Sequence, residues 1–126
     1  MKQDDFVNTW IERLKDGKRK QTRGQLIRGK RKVQAYCCLG VACELSNELN
    51  LVRNIDLFDE NDHENALRNR LAKRLNVTRY GKFINKVEYK GHRYESLVEL
   101  NDAGVRFPTI ARIIREQWDA RNFQPY

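Results

Sequence analysis

The chain has 126 residues, 40% of them apolar and 33% charged, with a net charge of +8 at neutral pH. That length suits one domain with a modest core, and no apolar run approaches the ~18 to 20 residues needed to span a bilayer. Three cysteines, two of them adjacent, form an odd set that fits a reducing compartment better than a disulfide scaffold.

The first twenty residues alternate charged and apolar positions and lack the continuous apolar stretch of a secretory signal, so a cytoplasmic protein without a membrane partner is expected. Phe6, Trp10 and Leu14 recur every four positions with Val7 and Ile11 beside them. They predict an amphipathic first helix, capped by Asp4 or Asp5 and stopped at Gly17. Between Lys18 and Gln34 dense charge and two glycines break any helical period, which predicts turns and a short hairpin pairing Gln25 to Arg28 with Lys32 to Tyr36. A second helix, from about Cys37 to Asn50, would present Cys38, Ala42, Leu45 and Leu49 on one face, widened by Leu39 and Val41.

Residues 52–61 read as an acidic connector. Asn61 and Glu64 then suit a capping box for a third helix carrying Leu67, Leu71 and Leu75 with basic residues between them. Val77 to Tyr94 is rich in aromatic and β-branched residues and favours strands that turn at Lys90-Gly91. Ser96 and Glu99 form another capping box, opening a short helix that ends at Ala103-Gly104. Pro108 begins a last helix whose buried stripe would be Ile110, Ile113, Ile114 and Trp118. Together these elements predict an α+β fold, mainly helical, with a small antiparallel sheet or hairpin. It forms a single domain over 1–126, with a basic segment at 13–32, a central segment at 51–95 and a C-terminal helical hairpin at 96–119.

The charge is concentrated. Between Arg13 and Lys32 ten basic residues face only Asp16, and the other 106 residues together carry −1. Lys18, Arg19, Lys20, Arg23, Arg28, Lys30, Arg31 and Lys32 are the candidate binding residues, because positive side chains interleaved with glycines and glutamines can track a phosphate backbone or an acidic rim. The bland alternative is a solvated charge run. No aromatic lies inside the block before Tyr36, so base stacking by this segment is not expected and any binding should weaken with salt.

Two motifs admit a second chemistry beside packing. Cys37-Cys38-Leu39-Gly40-Val41-Ala42-Cys43, followed by His92 and then Asn101 or Asp102, repeats the residue order of some thiol hydrolases. A motif on an apolar helix face reads first as core, however, and adjacent cysteines with isolated histidines do not make a metal site. Leu100 to Ile114 has the outline of a helix-turn-helix, with Arg106, Arg112 and Arg115 as secondary binding residues. Leu100 and Glu99 stand where a small and an apolar residue are wanted, and Glu116 and Asp119 dilute the charge, which favours an ordinary helical hairpin. Near the C-terminus, Phe123 and Tyr126 would either anchor a partner or dock as a tail. Nothing in the sequence calls for a cofactor or a metal.

Trp10, Leu14, Gly17-Lys18, Gln21, Arg23-Gly24 and Leu26, then Tyr36 to Cys43, then Leu100-Asn101-Asp102, Gly104, Phe107, Ile110-Ala111 and Ile114, resemble the pattern of a widespread group of small tailed-bacteriophage proteins. The Cys-Cys-Leu-Gly-Val-x-Cys run is the most specific part. The resemblance implies phage origin and a host cytoplasm, with no catalytic residues to transfer. It points to a non-enzymatic protein that binds a host or defence component, the partner being an acidic protein surface or nucleic acid. Direct DNA or RNA binding and capture of a phosphorylated nucleotide signal are the alternatives.

Overall fold

The computed structural model of the chain describes residues 1–24, 27, 28, 35–55 and 66–126, with Arg28 in its backbone alone. Its elements in chain order are α1 (Gln3–Lys15), β1 (Lys20–Gln21), β2 (Ile27–Arg28), β3 (Ala35–Tyr36), α2 (Cys38–Leu49), α3 (Asn69–Leu75), β4 (Lys82–Tyr89), β5 (His92–Ser96), α4 (Leu97–Asp102) and α5 (Phe107–Asp119). The expected α+β, mainly helical fold is the one observed.

α1 forms where the four-residue period places Phe6, Val7, Trp10, Ile11 and Leu14 on one buried stripe. It begins at Gln3, so Asp4 and Asp5 are not caps but lie in the first turn, where carboxylates favour the positive end of the helix dipole. Its main neighbour is α5, which runs antiparallel to it, since Asp4 meets Trp118 and Asn8 meets Arg115. α5 opens with Pro108 in its first turn and buries Phe107, Ile110, Ala111, Ile113 and Ile114.

α2 is the central helix. Cys38 to Cys43 are all buried, as are Leu45 and Ser46, so its flanks are covered by α1 and α4 rather than by water. Cys37 is its N-cap, its Sγ accepting the Gly40 N–H at 3.3 Å, and Asn50 closes it in the left-handed conformation at φ 56°. α3 likewise ends on a left-handed Asn76. Leu67 is buried just before α3, and Leu71 and Leu75 are buried on it. The Asn61–Glu64 capping box lies outside the described residues, as does most of the acidic connector.

The basic segment folds back on the helices as a three-stranded sheet in the order β1-β3-β2. β2 and β3 form the expected antiparallel pair, Ile27 opposite Tyr36, while β1 adds to the other edge in parallel, Lys20 opposite Ala35. The β4–β5 hairpin turns at Lys90 and Gly91, both with positive φ (49° and 79°), as a tight two-residue turn requires. The C-terminal tail docks along β4. Ile84 N–H donates to the Asn122 carbonyl at 2.7 Å, Gln124 N–H donates to the Lys82 carbonyl at 2.9 Å, and the Phe123 ring lies 5.3 Å from that of Phe83. The Asn122 side-chain amide also accepts the Asn85 N–H and donates to the Asn85 carbonyl, standing in for a peptide group on that strand edge. Ser96 caps α4, its Oγ accepting the Glu99 N–H at 3.2 Å, but the Glu99 carboxylate reaches back to the N–H of Glu95 instead of that of Ser96. β5 still occupies position 96, which draws the reciprocal bond one residue upstream.

Candidate functional site

Immediately after β1 the basic segment is pinned to the α4–α5 turn by two side-chain amides. Gln21 donates to Asn101 Oδ1 at 3.0 Å and to the Val105 carbonyl at 2.7 Å, and its Oε1 accepts the Phe107 N–H at 3.1 Å. Asn101, 1% exposed, accepts the Cys38 N–H at 3.1 Å and donates to the Thr22 carbonyl at 2.7 Å. One clasp therefore satisfies backbone groups at the start of α2, the start of α5 and the basic segment, and no buried side-chain N or O is left without a partner among the described residues. Trp10 closes the set from α1, its indole N–H donating to the Cys38 carbonyl at 3.0 Å.

Beyond the clasp, Gly24 N–H donates to Asp102 Oδ1 at 3.0 Å. The Arg23 guanidinium lies over Gly104, where a Cβ would come within 2.8 Å of Arg23 Cζ. Gly104 also holds φ 85°, so both backbone conformation and close approach require glycine there. The residues singled out by the phage-protein pattern, apart in sequence, thus meet in one constellation at residues 21–24, 37–38 and 101–107.

The structure sorts the candidate cations. Arg19 is 19% exposed, donates to Glu44 at 2.6 Å, lies 3.9 Å from Asp16, and sits over the Tyr36 ring at 5.9 Å. It is committed to the fold and not presented to a partner. Arg13 makes a two-point pair with Glu48 at 2.7 and 3.1 Å, which raises the guanidinium pKa and lowers that of the carboxylate. Lys15 lies 3.6 Å from Glu12. Lys18, Lys20 and Arg23 are exposed, and among the described residues no carboxylate pairs with them. Lys30, Arg31, Lys32 and the Arg28 side chain lie outside the described residues.

Tyr36, the one aromatic at the edge of the block, is 7% exposed beneath Arg19. Burial and then its hydrogen bond with Glu44 push its phenol up to about 12, so it serves the core and offers no stacking face. The secondary candidates divide as well. Arg106 is exposed at the α5 N-cap, Arg112 pairs with Glu116 at 3.4 Å, and Arg115 pairs with Asp119 at 3.3 Å and bonds Asn8. The Phe107 N–H, at the end of α5 that a helix-turn-helix would present to bases, is already held by Gln21.

The cysteines do not assemble a nucleophile. All three are free and buried. Burial pushes the Cys37 thiol up to about 12 and the Cys38 thiol well above its usual range, opposite to what thiolate chemistry needs. His92 stands exposed beside the tip of the β4–β5 hairpin, its ring against Tyr94. Asn101 does lie beside Cys38, but it holds the backbone N–H, not the sulfur. Among the described residues no group of His, Cys, Asp and Glu is arranged to hold a metal, and no helix is long and apolar enough to cross a membrane.

A second concavity, of about 650 Å³, lies between the start of α1, the loop after α3, the end of α5 and the tail. Trp118 and Phe123 form its aromatic wall, with ring centres 6.1 Å apart, and Asp4 fixes the indole by accepting its N–H at 2.8 Å. Sequence reasoning marked these two aromatics but not the groove, because its walls come from both ends of the chain.

A family model described as a domain of unknown function, DUF8296, matches residues 1–118. No curated protein and no solved structure matches the chain.

Proposed function

The chain belongs to the DUF8296 family, and we propose that it is a phage-encoded, non-enzymatic binding protein that engages a host or defence component in the host cytoplasm. The contact is made through the basic segment with an acidic surface of a partner protein. The observation that carries this reading is the division among the cations: Arg13, Lys15 and Arg19 are paired internally, whereas Lys18, Lys20 and Arg23 stand exposed with no acid beside them among the described residues. Unpaired charge on one side of a small protein is left for an external counter-charge, which speeds encounter and sets orientation. The Gln21–Asn101 clasp holds the backbone between Lys20 and Arg23, so part of the ordering cost of binding is met in the free protein. The buried Tyr36 favours charge-led protein contact over base stacking.

The test is a tagged capture from bacterial lysate with and without nuclease, comparing the wild type with Lys18→Glu/Lys20→Glu/Arg23→Glu after circular dichroism confirms equal folding. A discrete protein that survives nuclease and is lost with the triple variant supports the reading. Capture that persists in the triple variant refutes the role of the segment. Recovery of nucleic acid alone, lost on nuclease treatment, replaces the protein partner with direct nucleic-acid binding.

A further inference from the structure

Charge alone gives fast encounter but little lifetime, and the basic segment offers no exposed apolar anchor among its described residues. The groove at the far end of α5 supplies what is missing. At about 650 Å³ it has the size of a site that takes a large side chain with its neighbours. Its Trp118 wall is held in one orientation by Asp4, and Leu75 and Val77 line it as well. Two of the three exposed large apolar residues border it. Met1 is tied through Arg74 to Gln3, and Tyr126 through its N–H to Asn76. Trp, Tyr, Met and Arg are the residue types enriched at interface centres.

The charges within the groove select what enters. Asp119 is neutralised by Arg115, which also bonds Asn8, and Asp4 is occupied with the indole N–H. Arg121 remains. It sits at the mouth with its backbone in the left-handed region (φ 55°), anchored by its N–H to the Trp118 carbonyl at 3.1 Å. No carboxylate pairs with its guanidinium among the described residues.

We propose that this groove is the apolar anchor site for the same acidic partner protein, taking one aromatic side chain of an extended segment against Trp118 and Phe123 while a neighbouring carboxylate of that segment pairs with Arg121. This rests on the reading of the basic segment as a contact for an acidic protein. The two contacts stand at opposite ends of α5, roughly 16 Å apart along the helix from Phe107 to Trp118.

The test uses two fluorescein-labelled peptides of Asp and Glu residues, identical except for a central Phe in one and a central Ala in the other, titrated with full-length protein and read by anisotropy. The wild type is expected to bind the Phe peptide roughly tenfold tighter, with a change in the emission of Trp118 that Trp118→Phe removes. Arg121→Glu, an exposed substitution, should abolish the preference. The triple charge reversal at Lys18, Lys20 and Arg23 should weaken both peptides equally and leave their ratio intact. Equal affinity of the two peptides for the wild type, or a ratio unchanged by Arg121→Glu, overturns the groove. A triple variant that binds both peptides as tightly as the wild type overturns the basic-segment reading instead.

Discussion

Asn101→Ala isolates the clasp. The side chain is 1% exposed and bonds Gln21, the Cys38 N–H and the Thr22 carbonyl. Alanine leaves the last two buried without partners, while Gln21 keeps the Val105 carbonyl. At about 1–3 kcal/mol for each orphaned buried group, the expected loss is about 2–5 kcal/mol, a large part of a stability on the order of 5–15 kcal/mol. Urea unfolding followed by the emission of Trp10, whose indole donates to the Cys38 carbonyl, should show it. The melting temperature should fall by roughly 10 °C or more. Because the Gln21–Asn101 bond is lost in either single variant, Gln21→Ala/Asn101→Ala should be less unstable than the two singles summed, by about 0.5–3 kcal/mol. A loss under about 1 kcal/mol for Asn101→Ala, or strict additivity in the double variant, would refute the clasp as the device that ties the basic segment to the helices.

Gly104→Ala should destabilise by about 1–2 kcal/mol through its φ alone, and pairing it with Arg23→Ala should relieve only the steric part, as two-variant unfolding curves will tell. Trp10→Ala should cost about 3–5 kcal/mol, since it empties a 4% exposed site and orphans the Cys38 carbonyl; a cost below about 1 kcal/mol would mean that α1 is not docked. With burial raising the Cys37 and Cys38 thiols, a disulfide reagent at pH 8 should label the cysteines only after unfolding, and one fast native thiol would reopen the nucleophile reading. Arg13 lowers the Glu48 pKa, so their pair adds stability above the unfolded carboxylate pKa and loses it as pH falls through the folded one. That carboxylate is 53% exposed, so Glu48→Gln should remove well under about 1 kcal/mol and flatten the acid limb only slightly.

The helices were legible because their signals are local. The four-residue repeat of Phe6, Trp10 and Leu14, the Lys90-Gly91 turn, the Ser96 cap and Pro108 each act within a few residues, and each stands where the sequence placed it. The β1–β3 pairing left no such mark, because two-residue strands carry too little pattern to announce a partner. The charge of the basic block was legible, but its division was not. Glu44 and Glu48 lie 25 and 35 residues beyond the arginines they neutralise, so only tertiary packing decides that Arg13 and Arg19 are spent while Lys18, Lys20 and Arg23 stay free. Gln21 and Asn101 were visible as members of a pattern without a role, since an amide reveals its partners only when the fold brings them within reach. Arg121 carried no signal at all until the groove beneath it was in view.

The clasp also sets an order of events at the birth of the protein. Its bonds join Gln21 and Thr22 to residues 79 to 86 positions further along the chain. The basic segment is among the first stretches to leave the ribosome, yet nothing can seat it until α4 and the start of α5 have followed. A nascent or truncated chain therefore displays the charge without the pose. Only a nearly finished molecule is armed, which spares the growing chain from committing early to any partner that reads the segment's shape as well as its sign.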